Sequence, residues 1–485
     1  MRFAFVLLLM AVLLTPGSAL GRLVQPDGSV VAVGEESAAG GVTYLFASRT
    51  VDSRSWITLP AGSTVSEAKL VGANFQQTLS FPAVSLPGVR FSVEVPARVL
   101  SLSLQGRFGL SKTLVRTKAR PGSGAWVSRS AGDLVIDLPE WKTAPGYRSV
   151  LELIRPEAGA WNVTVTGEGR SRGFVLAPTV VQWDYAPWAW GFAPTRVVVT
   201  GADARLAAVR VRAFSPQADL PADPETILAQ PVSTWRNPRR EWYAWSGTSV
   251  LVLVTADYRV QDDYLRRLAF FVEKQGYRGR LVSDAELGGQ HGWNAHDYAA
   301  PDLARFFTQA AQEHVALNGS ETELRERLTA AGVLVARGSG AWDPGTGALV
   351  GVSAASPPAL RAALFTHEAF HGLYFTSPSF RSGVAAVWSG LSEPARAHFR
   401  AFLAVSQYDP EDEGLMTNEF QAYVLQRPES DWTAFFRERV LGKSEPAGDA
   451  ARTLEEYRAA AHRLDTLVGD LYGLRSGVVS TVSIR

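Results

Sequence analysis

The 485-residue sequence contains no cysteine. That absence excludes disulfides, thiolate metal sites, iron–sulfur clusters, a thiol nucleophile and a lipidated cysteine. Any metal must therefore rest on His, Asp or Glu. An excess of either charge is also missing: 48 Lys plus Arg against 47 Asp plus Glu leave a formal net charge of +1. No bulk field draws nucleic acid or an anionic membrane to such a surface, so a nucleic-acid partner is not expected. Gly351-Val352-Ser353-Ala354-Ala355 lacks the last glycine of a serine nucleophile elbow, and no Walker-type loop or internal repeat occurs.

What is present is an ordinary globular composition, 46% hydrophobic and 20% charged, with a length that suggests about three domains. The chain opens Met1-Arg2, runs apolar from Phe3 to Leu14 and continues Thr15-Pro16-Gly17-Ser18-Ala19. Its apolar part would make about 18 Å of helix, short of the roughly 30 Å bilayer core. Residues 1–21 therefore read as a secretory signal peptide, and the mature chain as secreted or periplasmic with no transmembrane segment.

From residue 22 to 214 short β-branched or alternating runs are separated by Gly, Pro, Ser and Asp, among them Ser29–Val33, Val42–Phe46, Val99–Leu104, Leu134–Leu138, Trp161–Thr166 and Arg196–Thr200. This predicts an all-β sandwich region of one or two modules. Residues 215–240, rich in Pro, Ala, Asp and Gln, read as a linker. Beyond them Val250–Thr255 predicts a buried strand, Asp262–Gln275 a helix and Gly279–Ser283 another strand. From Pro301 helices dominate, at Pro301–Leu317, Glu321–Ala331, Pro357–Phe375, Pro394–Ser406, Leu415–Gln426, Asp431–Val440 and Asp449–Leu471. The fold class is thus multidomain, with a β-sandwich region followed at 241–485 by an α/β and mainly helical region.

Within the Pro357–Phe375 helix stands His367-Glu368-Ala369-Phe370-His371, the H-E-x-x-H pattern. Side chains four apart lie about 40° apart around a helix and 6 Å along it, so both imidazoles can reach one ion. Ser356 and Pro357 suit an N-cap and first helical position, and Leu360, Leu364, His367, His371 and Tyr374 share a stripe taken as the inward face. Catalytic zinc usually takes three protein ligands. Gly372-Leu373-Tyr374-Phe375 offers no further histidine, but Glu419 lies on a later helical stripe with Met416, Phe420 and Tyr423. A core-facing carboxylate there needs a cation or a donor.

With these residues the chain resembles the gluzincins, zinc metallopeptidases in which H-E-x-x-H is completed by a Glu on a later helix. His367, Glu368 and His371 match the first motif, and Asn418-Glu419-Phe420-Gln421-Ala422 looks like the N-E-x-x-A helix. The resemblance implies a zincin-like catalytic region with one zinc per chain on His367, His371 and Glu419. It implies Glu368 as general base toward a peptide or protein substrate, and an oxyanion donor among Tyr457, His462 and Tyr472. Ala348–Val352 looks like the substrate-binding edge strand, which makes Gly351 and Val352 substrate contacts. Asn418 and Tyr423 would support the ligands from behind, Tyr423 standing where several such families carry Asp.

In His291-Gly292-Trp293-Asn294-Ala295-His296-Asp297-Tyr298, turn and cap roles compete with a cleft-lining role in which His296 touches substrate. Trp183, Tyr185, Trp188 and Trp190, with Trp235, Trp242 and Trp245, fit packing at an inter-domain seam better than a sugar-stacking platform. The sequence thus predicts an exported zinc peptidase. The alternatives are a secreted non-catalytic binding protein, or a β region that carries the peptidase to cell-wall glycan.

Overall fold

The computed structural model describes strand segments between residues 22 and 107, and the chain from 126 to 484 apart from 131–132, 139–146, 155–158, 160, 181, 201–207, 275, 406–407 and 444–449. The apolar N-terminal segment and the expected strand Ser29–Val33 lie outside the described residues. No helix among the described residues is long and apolar enough to cross a membrane. The architecture is mixed α/β with several sheets and falls into two compact units, Met1–Gln217 with Val482–Arg485, and Ala218–Thr481.

In the first unit, residues 22–107 supply a five-stranded and a three-stranded sheet. Residues 126–214 build five strands of a six-stranded sheet and a three-stranded one that share a single core. Strand Trp161–Gly167 shows why: its alternate residues Trp161, Val163 and Val165 are buried while Thr164 is exposed, the period-two signature of a half-buried strand. They pack with Leu151 and Leu153 of the smaller sheet. The aromatic stretch packs otherwise than expected. Trp183, Tyr185 and Trp190 are inside this same core, with Phe174 4.9 Å from Trp183 and 5.4 Å from Trp190, so these rings neither line a seam nor form a surface platform. Val482–Ile484 pairs antiparallel with Arg170–Leu176, so the chain end completes the six-stranded sheet.

The second unit is built on one five-stranded sheet: β1 (Leu220–Ala222), β2 (Arg240–Trp245), β3 (Val250–Thr255), β4 (Ala295–Ala299) and β5 (Ala348–Ser353), in the order β1-β2-β3-β5-β4. β3 and β5 are parallel and buried at every residue, as a strand covered on both faces must be. β4 runs antiparallel to β5 and is the last strand of its sheet. Helices α1 (Tyr258–Val272), α2 (Ala300–Gln312), α3 (Gly319–Ala330), α4 (Pro358–Thr376), α5 (Pro378–Ser389), α6 (Glu393–Ala404), α7 (Glu413–Leu425) and α8 (Ala450–Tyr472) complete it.

Residues 218–240 are not a linker. Leu220 and Ala222 are buried in the sheet, and Asp223 caps the Pro224–Ala229 helix while accepting hydrogen bonds from the Thr481 backbone N–H and hydroxyl at 3.1 and 2.9 Å. Residues 279–283 form no strand: Gly279 ends a turn with φ +72°, and 280–283 run irregularly to the helix that starts at Asp284. Trp242 belongs to the core beneath α1 and α2, and Trp245 is buried on β2.

Helix α4 lies against β3, β5 and β4 and packs against α7. Its buried face is formed by Phe365, Ala369, Phe370, Gly372 and Leu373; Leu360, expected on the inward stripe, is 44% exposed. Ser356 does not cap the helix, because its hydroxyl is bonded to the Tyr258 hydroxyl at 2.7 Å. Close approach of α4 to the sheet depends on Gly372, where a Cβ would meet the Val250 and Val350 methyls at 3.1–3.3 Å. Gly372→Val is therefore expected to lower stability by about 1–3 kcal/mol through overpacking, read by urea unfolding. Gly372→Ala should remain within about 1 kcal/mol of the parent, its helix propensity offsetting the tight contact.

Candidate metal centre

Helices α4 and α7 face each other and bring His367, His371 and Glu419 together. His367 and His371 project one turn apart with their Nε2 atoms 3.1 Å apart. Glu419 on α7 reaches between them, Oε2 lying 3.5 Å from His367 Nε2 and Oε1 3.6 Å from His371 Nε2. His371 and Glu419 are 1% and 6% exposed, and Glu419 Oε2 has no hydrogen-bond partner. Four-coordinate zinc bound at about 2.0–2.2 Å sets its ligand atoms roughly 3.3–3.6 Å apart, so this donor set fits such an ion. A buried carboxylate aimed at two imidazole nitrogens, with one oxygen lacking any hydrogen bond, is what a missing cation leaves behind.

The chain holds these side chains in a metal-ready state. Burial depresses the His367 pKa to about 4, so its ring is neutral near pH 7. At Nδ1 the ring meets the Gln426 carboxamide, and the Ala422 carbonyl also hydrogen-bonds to it. Tyr423 packs edge-on against His367 at 4.9 Å, and Phe375 stacks on His371 at 6.3 Å. Asn418 turns away, its side-chain oxygen accepting from Gln421 Nε2 at 3.2 Å.

Glu368 is 7% exposed and hydrogen-bonded to Asp297 of β4. Atoms of Asp297, Glu368 and His371 lie within 4.8 Å of one another, a second grouping that shares His371 with the first. Burial, then the Asp297 charge, raise the Glu368 pKa well above the ordinary carboxylate value. Glu273, just beyond α1, stands in the same field, its pKa raised first by burial and then by Asp297. Tyr408 belongs here as well: its phenol bonds Tyr423, and burial followed by the charge of Glu419 pushes its pKa well up.

Several expected site residues lie elsewhere. β5 is an inner strand, with Gly351 opposite Leu253 on one side and His296 on the other, so Gly351 and Val352 cannot accept an extended substrate. The edge is β4. His296 is 1% exposed on the opposite face of β4 from Asp297, its Nδ1 bonded to the Tyr298 hydroxyl at 2.9 Å, so it makes no substrate contact. Tyr457 is enclosed between α6 and α8, its hydroxyl donating to the Ala395 carbonyl at 2.5 Å, which removes it as an oxyanion donor. His462 is on the surface near Glu429 and against Trp432, equally remote from this role. Tyr472 packs on Phe380. Asp297, Glu273 and Tyr408 were not picked out as site residues from sequence; only Asp297 carried a signal, standing beside His296 in the polar-aromatic stretch.

In the metal-free protein burial raises Glu419 to about 7, opposed by the His371 charge and reinforced by Asp297. A metal binds the carboxylate, so zinc affinity measured by chelator competition should climb as pH rises toward about 7 and then level. The sign for metal-free stability is opposite. A carboxyl raised above its unfolded value of about 4.3 contributes stability below that pH and loses it as pH rises through the folded value. Melting temperature of the metal-free chain should therefore fall across that window, and less so in Glu419→Gln. No protein-family model, curated protein or solved structure matches this chain.

Proposed function

We propose that the second unit is a gluzincin-like zinc peptidase acting on peptide or protein substrates outside the cytoplasm, the leading apolar segment serving export. The observation that carries the reading is the convergence of His367, His371 and Glu419 around one buried point, with Glu368 beside it and the sheet edge β4 alongside. Zinc bound there supplies a Lewis acid and brings the pKa of its water toward about 7.

The remaining work falls to the chain's own groups. Glu368 takes the proton from the attacking water onto its carboxylate and delivers it to the leaving amine. Burial and the adjoining Asp297 raise the affinity of this carboxylate for a proton, which suits a base that must keep what it takes up between two steps. Gln426 and the Ala422 carbonyl hold the His367 ring from behind and so fix its orientation. Tyr408, hydrogen-bonded to Tyr423 and within the field of Glu419 and Glu368, would turn its hydroxyl from Tyr423 to serve as donor to the developing oxyanion. An extended substrate pairs along the outer edge of β4.

Elemental analysis should find about one zinc per chain, and Glu419→Ala should weaken its retention. Glu368→Gln should keep the metal and lose about three orders of magnitude in turnover of a peptide library. Absence of zinc after reconstitution, or undiminished turnover in Glu368→Gln, would overturn the reading. Replacing the Gln426 carboxamide by Leu should weaken metal affinity by about 10- to 100-fold with little change in melting temperature of the metal-free protein.

A further inference from the structure

The polar-aromatic stretch before β4 holds one residue that the zinc chemistry leaves idle. Trp293 is 39% exposed, the most exposed aromatic side chain of the second unit among the described residues. Tryptophan is highly buried on average, so a ring left in water is informative where it is also held rigid. Trp293 is held at three points. Its carbonyl accepts from Nε2 of the fully buried Gln261 at 2.9 Å, its indole hydrogen-bonds to the Glu273 carboxylate, and Lys274 Nζ stands 3.0 Å from the ring centroid. An indole N–H lies in the plane of its ring. Glu273 thus takes an edge and Lys274 one face, which leaves the opposite face as the broad surface open to a ligand.

The ring stands beside the strand on which a substrate would pair. Trp293 lies two residues before Ala295, the first residue of the edge strand β4, and four before Asp297, whose atoms approach Glu368 and His371. Four residues of extended chain span at most about 14 Å, and the indole is directed to Glu273, which is in the field of Asp297 and Glu419. A peptide extended along β4 therefore brings to the ring a side chain two to four residues from its scissile bond. The chemistry of that side chain follows from the two faces. An exposed indole alone accepts either a cation or another ring. Here Lys274 already occupies the cation position, and a substrate lysine or arginine at a like distance over the opposite face would stand about 6 Å from it, like charge against like. A phenyl or phenol ring meets no such opposition and stacks offset on the free face.

We propose that Trp293 is a specificity-determining residue that binds an aromatic side chain of the substrate two to four residues from the cleaved bond, and that Lys274 on its other face turns away lysine and arginine. The proposal rests on the zinc-peptidase reading above and supplies its substrate class, extended peptides with an aromatic residue at that distance.

The test uses the full chain, loaded with zinc, and internally quenched peptides of ten residues in which Phe, Ser or Arg stands singly at each position two to four residues to either side of the cleaved bond. At one position Phe is expected to exceed Ser by about tenfold or more in kcat/KM, the worth of burying one aromatic side chain, and to exceed Arg by at least as much. Trp293→Ala should bring the Phe to Ser ratio close to one, and Trp293→Phe should keep part of it. Lys274→Met should raise Arg peptides relative to Phe peptides, a change of preference that a mere loss of stability does not produce. A parent protein without preference at any of these positions, a Phe preference that survives Trp293→Ala, or an unchanged Phe to Arg ratio in Lys274→Met overturns the proposal. The peptidase reading fails differently, as missing zinc or as undiminished turnover in Glu368→Gln, and takes this proposal with it.

Discussion

The second unit is organised around a conflict between burial and charge. Two imidazoles and several carboxylates occupy one interior space between α4, α7 and the sheet edge, where an isolated charge is costly. Each consequence follows from that cost. His367 is driven to its neutral form, Glu368 and Glu419 toward their protonated forms, and one oxygen of Glu419 has no partner. A divalent cation would turn the same set from a liability into a satisfied site, because it would supply the charge that the chain withholds.

Rigid placement of α4 makes this possible. The helix presses on β3 and β5 through Gly372, where the absence of a side chain allows contact with Val250 and Val350. Hydrophobic packing on that face fixes the rotation of the helix, and rotation decides that His367 and His371 look toward α7 and not toward solvent. α7 is buried over most of its length, from Met416 to Leu425, so Glu419 is delivered from an equally firm support. The β4 strand contributes the last element, with Asp297 on the face turned to the site and His296 and Tyr298 on the other.

Much of this was legible in order of residues along the chain. The i, i+4 spacing of His367 and His371 is a property of helix geometry, and Glu419 stood on an apolar stripe where a carboxylate needed a reason. The β pattern of the first unit was legible because alternation in strands such as Trp161–Gly167 is local. Asp297 and Tyr408 were not legible as site residues in the same way, since neither sits at a fixed spacing from the motif. The aromatic run near Trp183 suggests a seam from sequence because composition reports that rings are buried somewhere, and says nothing of which surface buries them.

By itself the sequence determined what local periodicity and side-chain chemistry can determine: a cysteine-free chain, a β-rich part followed by a helix-rich part, and a helix bearing two imidazoles and a glutamate on adjacent turns. Tertiary structure alone decided which strand is the edge, that β5 is flanked on both sides while β4 is not, that residues 218–240 join the second unit and that Val482–Ile484 returns to the first. It also decided which acids share the site. Strand order and the meeting of distant side chains depend on which surfaces bury one another, a long-range balance of packing against chain entropy that no window of neighbouring residues contains.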